Sequence, residues 1–170
     1  MKILAEISDA TVGLGTPEEL NSTYELRKSA RVILENEAGD IAIQHLENYR
    51  FYKLPGGGVD PGETIEGALL REVREEVGCD CEITRPVGMV IEYRAKYKLL
   101  QINYCYVARV TSAITEPAFE AAEIKAGQKN IWVTPELVLD LLESGERTKY
   151  ESHFNIPREI DFLKEYLETK

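Results

Sequence analysis

Three glutamates, Glu72, Glu75 and Glu76, stand at i, i+3 and i+4 in the run REVREE. On a helix, residues so spaced are neighbours, with Cβ atoms about 5–6 Å apart. At 100° per residue all three fall within one arc of about 100°. Carboxylates held that close repel and raise one another's pKa. A hard divalent cation removes the penalty, because Mg²⁺ takes one or two carboxylates, waters and the phosphate oxygens of a ligand. Gly56, Gly57 and Gly58 precede them in the chain. Without side chains, their amides and carbonyls can approach a metal or a phosphate closely. Either feature alone is ordinary: a Glu-rich helix is usually a solvated face, and a glycine-rich stretch is usually only a turn. Their joint spacing points to metal-assisted chemistry on a phosphorylated ligand.

The elements that must hold these residues can be read from pattern. Thr64 to Val77 has helical composition, with Leu70, Val73 and Val77 on one face beside the carboxylate arc and Gly78 as its stop. Upstream, Lys2 to Ile7 reads as a short strand and Gly13 to Ser22 as a loop. Tyr24 to Leu34 and Ile41 to His45 form a hairpin through Glu37–Asp40, and Phe51 to Leu54 leads into the glycines. Downstream, Val87 to Tyr93 and Leu99 to Val110 are strand-like. The second is apolar on both faces and so interior. Ile131 to Val133 is a last short strand. Pro135 to Leu142 is a helix capped by Thr134, and residues 157–169 form a C-terminal helix with Ile160, Leu163 and Leu167 inward. Paired strands with a few helices give an α/β sandwich around a mixed sheet. The 170 residues suit a single domain, with 1–23 as an N-terminal strand-and-loop extension.

The totals exclude several partners. A net charge of -10 argues against a nucleic acid polymer and against an anionic membrane. It leaves room for small phosphorylated ligands, because a bound divalent cation inverts the local field. Cys79, Cys81 and Cys105 are odd in number and lack CxxC spacing. With only His45 and His153 to help, they read as small buried side chains in a reducing cytosol rather than a zinc site. Glu6 and Asp9 interrupt the apolar run a signal peptide needs, and no stretch reaches membrane-spanning length. The expected location is cytoplasmic.

The glycine-and-glutamate segment resembles the Nudix box, G-x5-E-x7-R-E-U-x-E-E-x-G-U with U a bulky apolar residue. Gly57, Glu63, Arg71, Glu72, Val73, Glu75, Glu76 and Gly78 match in register, and Cys79 at the final packing position is the one departure. The resemblance implies a three-layer α/β/α sandwich around a mixed sheet. It also implies hydrolysis of a nucleoside diphosphate linked to another moiety, with Mg²⁺ or Mn²⁺. By that resemblance Glu72, Glu75, Glu76 and the Gly56 carbonyl hold the metal. Glu63 and Arg71 form an ion pair inside the box, and Gly57 and Gly78 are structural. Glu72 is the first choice of general base. In some relatives a glutamate on a later loop serves, and here Glu120 and Glu123, ahead of Glu116, are the ones to test. Many relatives are homodimers, for which the N-terminal strand is the candidate contact.

The substrate is less legible. Tyr93 to Lys98 alternates aromatic and basic residues, which could stack a base and hold a phosphate or simply end a hairpin. Tyr97 stands where relatives that cleave diadenosine polyphosphates often carry a tyrosine. Arg94 occupies the position of a proline common in ADP-ribose pyrophosphatases, and no coenzyme A signature is evident. Arg27, Lys28, Arg31 and Lys53 are candidate phosphate contacts, of which strand alternation puts only some on the site face. Tyr24 and Phe51 are candidate stacking residues. The implied substrates are nucleoside triphosphates, oxidised ones included, then dinucleoside polyphosphates or nucleotide sugars. A nucleotide-binding module without hydrolysis is the alternative.

Overall fold

A computed structural model describes residues 1–15 and 23–170; the part of the expected loop at 16–22 lies outside the described residues. The strands are β1 (Ile3–Ser8), β2 (Glu25–Glu35), β3 (Ile41–Leu46), β4 (Phe51–Lys53), β5 (Cys81–Arg94), β6 (Leu99–Val110) and β7 (Gln128–Val133). The helices are α1 (Ile65–Glu72), α2 (Ala121–Ala126), α3 (Pro135–Ser144) and α4 (Tyr150–Glu168). The sheet runs β1-β5-β6-β2-β3-β4, with β7 also on β3. It is mixed, because β1 lies parallel to β5 and β2 parallel to β6 while β5 and β6 are antiparallel. The N-terminal strand is therefore an edge of the main sheet. β6 lies between β5 and β2, as its two apolar faces require.

Alternation along β2 sorts the layers. Ala30, Val32 and Leu34 pack with Leu69, Val73 and Val77 of the α1 side. Ile33 points the other way, to Val138 and Leu142 of α3 and Phe154, Phe162 and Leu163 of α4. The result is a three-layer α/β/α sandwich. No helix among the described residues is long and apolar enough to cross a membrane. All three cysteines are free, with Cys79 and Cys105 buried.

The hairpin between β2 and β3 forms, but its strands share a single pair, Glu35 with Ile41, before they part. β3 turns to β4 and β7. The freed edge of β2 takes up the glycine segment instead. Ala30 N–H donates to the Gly57 carbonyl (3.0 Å), Val32 N–H to Pro55 (3.1 Å), and Val59 N–H to Lys28 (3.0 Å). The loop is thus sewn to an interior strand.

Three expectations need correction. β5 begins at Cys81, six residues early, and carries Pro86 through register shifts at 83–85 and 86–88. α4 begins at Tyr150, with Pro157 inside it. A proline usually opens a helix, but here Phe154, Phe162 and Tyr166 are all buried along one helix that runs through it. Its inward face also differs, since Leu167 is exposed and Ile160 only partly buried. In α1, Leu69 rather than Leu70 is the buried leucine.

Candidate active site

Thr64 Oγ1 accepts the Gly67 N–H at 3.0 Å and fixes the start of α1. At Val73 the helix passes into a wider turn, Val73–Val77, in which the Gly78 N–H reaches back to the Val73 carbonyl at 3.1 Å. An i→i+5 turn holds more residues than an α turn, so side chains four apart line up more nearly; such bulges recur at functional sites. Here it sets Glu72 and Glu76 on the buried side of the helix, at 9% and 2% exposure. The Glu75 side chain remains 42% exposed. The sequence had placed all three on one arc beside the apolar stripe. Instead two of them sit inside, against the glycine loop.

That loop fits because it lacks side chains. Gly56 has φ +126°, and a Cβ there would stand 2.2 Å from the Ala30 carbonyl oxygen. A Cβ on Gly57 would stand 2.3 Å from Glu72 Oε1. The Gly56 N–H donates to Glu76 Oε2 at 2.5 Å, and the Gly56 carbonyl accepts from the buried Arg31 guanidinium.

Arg71 ties loop and helix together. Its five N–H donors are spent on Glu63 (twice, 3.1 Å each), the Gly58 carbonyl (3.0 Å), Glu72 (2.9 Å) and Glu75 (3.0 Å). Those carboxylates, Glu63 first, hold its charge more firmly than usual. Glu76 goes to other partners: Lys53 at 3.0 Å and Gln128 at 3.3 Å. Its backbone carbonyl accepts from Asn130 Nδ2 at 2.6 Å.

The end of the helix also anchors the segment after β6. Ala118 N–H donates to the Glu75 carbonyl (2.7 Å), and Thr115 N–H to Gly78 (2.8 Å). Gly78 takes a left-handed conformation, and a Cβ there would meet the Thr115 carbonyl oxygen at 2.3 Å. So anchored, the segment delivers α2, and Glu120 and Glu123 line the same cleft of about 240 Å³ as Glu72, Glu75 and Glu76. Glu116 does not line it.

The electrostatics mark a crowded carboxylate site. Burial first, then the Glu76 charge, raise Glu72 above the ordinary carboxylate range, with Arg71 and Arg31 pulling against them. Burial would raise Glu76 too, but Lys53, the Gly56 N–H, a hydrogen bond shared with Glu123, and Arg31 outweigh it and leave it low. Burial and the contact with Glu76 push Glu123 up to about 7. Of the pair, Glu123 is the one that takes up a proton as pH falls to about 7. Glu72 and Glu75 are held by Arg71, and Glu76 by Lys53. Among the described residues, no three acidic, histidine or cysteine side chains are gathered tightly enough, as they stand, to hold a metal ion. The donor set still suits a hard cation: the cleft offers carboxylate and backbone oxygens, with no thiol or imidazole on its walls.

Of the substrate candidates, Arg27 and Lys53 line the cleft. Lys28, one residue along β2, does not, as alternation demands. A second pocket adjoins the first and shares Arg31 and Lys53 with it. Tyr97 lines neither, but its hydroxyl donates to Glu151, which lines the second. Phe51 is buried in a small apolar cluster at the floor of that pocket. Arg74 is a surface charge bonded to Asp80 at 2.6 Å. Gln128 and Asn130 were not singled out from sequence, because polar residues at the head of a strand carry no signal of what they hold. Arg31 had a clearer mark, an arginine inside the apolar run ARVIL of an interior strand.

The profile of the NUDIX domain family matches residues 25–153. The chain belongs to that family. Among curated Nudix relatives, RNA pyrophosphohydrolases of Pseudomonas putida strain F1 and Pseudomonas fluorescens strain SBW25 are 36% and 41% identical over 80 residues. Each match covers 45% of this chain and 50% of the relative. A Bacillus subtilis strain 168 protein, named as a candidate 8-oxo-dGTP diphosphatase, is 37% identical over 62 residues, 36% of this chain and 42% of its own. The chain thus spans about half the length of the curated relatives it matches. A Nudix hydrolase structure from Nitrosomonas europaea shares the fold at TM-score 0.64 and 18% identity, covering 86% of this chain and 91% of its own. A MutT protein structure from Methanosarcina mazei Go1 does so at 0.57 and 19%, covering 82% and 98%.

Proposed function

We propose that this Nudix chain hydrolyses the phosphoric anhydride of a nucleoside diphosphate linked to another moiety, with Mg²⁺ or Mn²⁺ as cofactor. The observation that carries the reading is the burial of Glu72 and Glu76 against a side-chain-free backbone, in a cleft where five glutamates meet three cationic side chains. A divalent cation would stabilise that excess of anion, with Glu72, Glu75, Glu76 and the Gly56 carbonyl to hold it. When bound, the cation neutralises the anhydride oxygens and lowers the pKa of an attacking water. The rest is work for the chain. Arg27 and Lys53 attract and orient the phosphates from the cleft wall. Glu72, lifted by burial, is the first candidate to take the water's proton. Glu123 and Glu120 stand on the facing segment, and Glu123, with its carboxyl pushed up to about 7, is suited to exchange a proton near neutrality. Arg71 and Glu63 keep the loop against the helix so that the ligands stay in register.

The names of the relatives support an anhydride as the bond cleaved. Nucleoside triphosphates, oxidised ones included, come first as substrates, then dinucleoside polyphosphates and nucleotide sugars. A product assay over these compounds, ADP-ribose and 5′-triphosphorylated RNA, with and without divalent metal, tests the reading. Metal-dependent product from at least one substrate, lost in Glu76→Gln, is the expected result. Tight nucleotide binding with no product would make the chain a binding module instead. A homodimer paired through the outer edge of β1 belongs to the same reading, and light scattering that finds only monomer ends it.

A further inference from the structure

The pocket beside the carboxylate cleft has a volume of about 390 Å³, within the range of small-ligand sites. Leu46 and Phe51, both buried, give it an apolar floor, with Tyr49 alongside. Arg31 and Lys53 form the wall it shares with the cleft. Glu151 and Asn155 stand at i and i+4 on α4, so they share one helix face. Lys149, stacked over Tyr49, completes the lining. An apolar floor, an acid–amide pair and a cationic passage to a carboxylate site are the parts a nucleotide needs: a place for the base, groups to read its edge, and a path for its phosphates.

The bonds these two side chains already make decide which base. The Tyr97 hydroxyl donates to Glu151 Oε1 at 2.5 Å. Arg94 donates to Asn155 Oδ1 at 3.1 Å, which fixes the amide's orientation. The Glu151 carboxylate keeps acceptor capacity on both oxygens, and Asn155 Nδ2 is a donor. Burial would raise the Glu151 carboxyl, but Tyr97, a backbone N–H and the nearby cations outweigh it, so the group is an anion that only accepts. An anionic acceptor favours adjacent N–H donors and repels carbonyl oxygens and ring lone pairs. Guanine offers N1–H and an N2 amino group side by side, with the O6 carbonyl next to them. Adenine sets a ring lone pair beside its amino group. Uracil flanks its N–H with two carbonyls.

We infer that this pocket is the base subsite and that it takes guanine, with N1–H and N2–H donating to Glu151 and O6 accepting from Asn155. The phosphates would then pass Lys53 into the cleft. The inference rests on the hydrolase reading for what happens to the phosphates, but not for recognition of the base. Tyr97 becomes a positioning residue: it lies outside both pockets and acts by holding Glu151.

Calorimetry with GDP, IDP, ADP and UDP in Mg²⁺ tests it, run beside a phosphate-release assay on the matching triphosphates. GDP binds at least tenfold tighter than IDP, which lacks only the N2 amino group, and about a hundredfold tighter than ADP or UDP. Glu151→Gln brings GDP down to the level of ADP and leaves ADP within threefold. Tyr97→Phe raises KM for GTP severalfold with kcat unchanged and leaves ATP alone. Equal affinity for the four diphosphates, or a Glu151→Gln loss shared by all of them, overturns the subsite. The wild-type contrast of GDP with IDP decides the matter even where a variant folds poorly. Hydrolysis without base preference removes the guanine subsite and keeps the enzyme. Preference for GDP without product removes the enzyme and keeps the subsite.

Discussion

Between the sheet and α4, Arg158, Glu92 and Glu159 are fully buried with Arg94 beside them; at the end of α1, Glu72 and Glu76 are buried with Arg71 and Lys53 beside them. The first group is balanced in charge, although Glu159 Oε2 stays without a hydrogen-bond partner. Arg158 bonds Glu92 at 2.8 Å and Glu159 at 2.5 Å, Arg94 takes the other Glu92 oxygen at 2.8 Å, and Asn103 fills in with Ser29 and Gln101. Two acids meet two guanidiniums. The second group is richer in acid: five glutamates line the cleft against Arg27, Arg31 and Lys53, with Arg71 adding one more cation on Glu72 and Glu75. A charge-matched network needs no counterion from outside. An unmatched one is costly unless a ligand completes it. The contrast separates scaffold from site better than burial alone, since both groups are buried.

The largest expected effect is on the unmatched side. Glu76→Gln keeps an oxygen for the Gly56 N–H but removes the charge. Turnover should fall by about 10²–10⁴-fold with an unchanged circular dichroism spectrum. Retained turnover would mean that the charge excess has no catalytic purpose. On the matched side the effect should be the reverse. Arg158→Met leaves Glu92 and Glu159 buried without their main partner, a change that costs about 3–5 kcal/mol in cases of this kind. Urea unfolding reads it, while kcat per folded molecule stays as it was.

The same network predicts an acid limit. Burial opposes the Glu92 charge, but Arg158 and Arg94 prevail and hold its carboxyl below the ordinary 4.5. As pH falls, the unfolded chain therefore takes up this proton first. The stabilisation is complete above pH 4.5 and is lost as pH drops through the lower folded value. Glu92→Gln should flatten that part of the stability–pH curve, measured by urea midpoints. An unaltered slope would show that the acid limit comes from other carboxylates.

The contrast also shows how far the sequence could be read. The box from Gly57 to Cys79 announced the cleft, because its residues are close in the chain and their spacing is fixed by one turn and one helix. β6 and, apart from Leu70, the core face of the box helix at Val73 and Val77 were legible for the same local reason, a period of two or of 3.6. The buried network was not, because Glu92, Asn103 and Arg158 come from β5, β6 and α4 and look like ordinary charges in each. The second pocket escaped likewise, since Leu46, Lys53 and Asn155 meet only through the fold. Pro157 misled outright, as a helix breaker whose neighbours pack well enough to override it.

Gly56→Ala and Gly57→Ala sharpen the comparison at adjacent positions. At Gly56 the new Cβ meets a backbone carbonyl of β2 and a left-handed φ, neither of which can yield, so stability should fall by about 1–3 kcal/mol. At Gly57 its nearest neighbours are the atoms of the Glu72 carboxylate, which can swing aside. Stability should then change little, while turnover drops about tenfold or more because a buried carboxylate has left its place. Equal thermal loss in the two variants would mean that the loop is rigid around Glu72 as well.

The smallest effect is expected two residues away from the largest. Arg71 and Arg74 are neighbours on the same helix, with the same charge and both bonded to carboxylates. Arg71 spends all five donors within the box, on groups from loop and helix alike. Arg74 is exposed and bonded to Asp80, itself at the surface. Water replaces what Asp80 provides, so Arg74→Ala should leave melting temperature and kcat/KM unchanged within error. Arg71→Lys keeps the charge but cannot reproduce the planar fork, and it frees Glu72 and Glu75 from their shared donor. Its cost should appear as weaker Mn²⁺ binding, read by calorimetry, before it appears in unfolding. If Arg71→Lys were as silent as Arg74→Ala, net charge alone would organise the cleft, and the geometry of the box would have no part in holding its carboxylates.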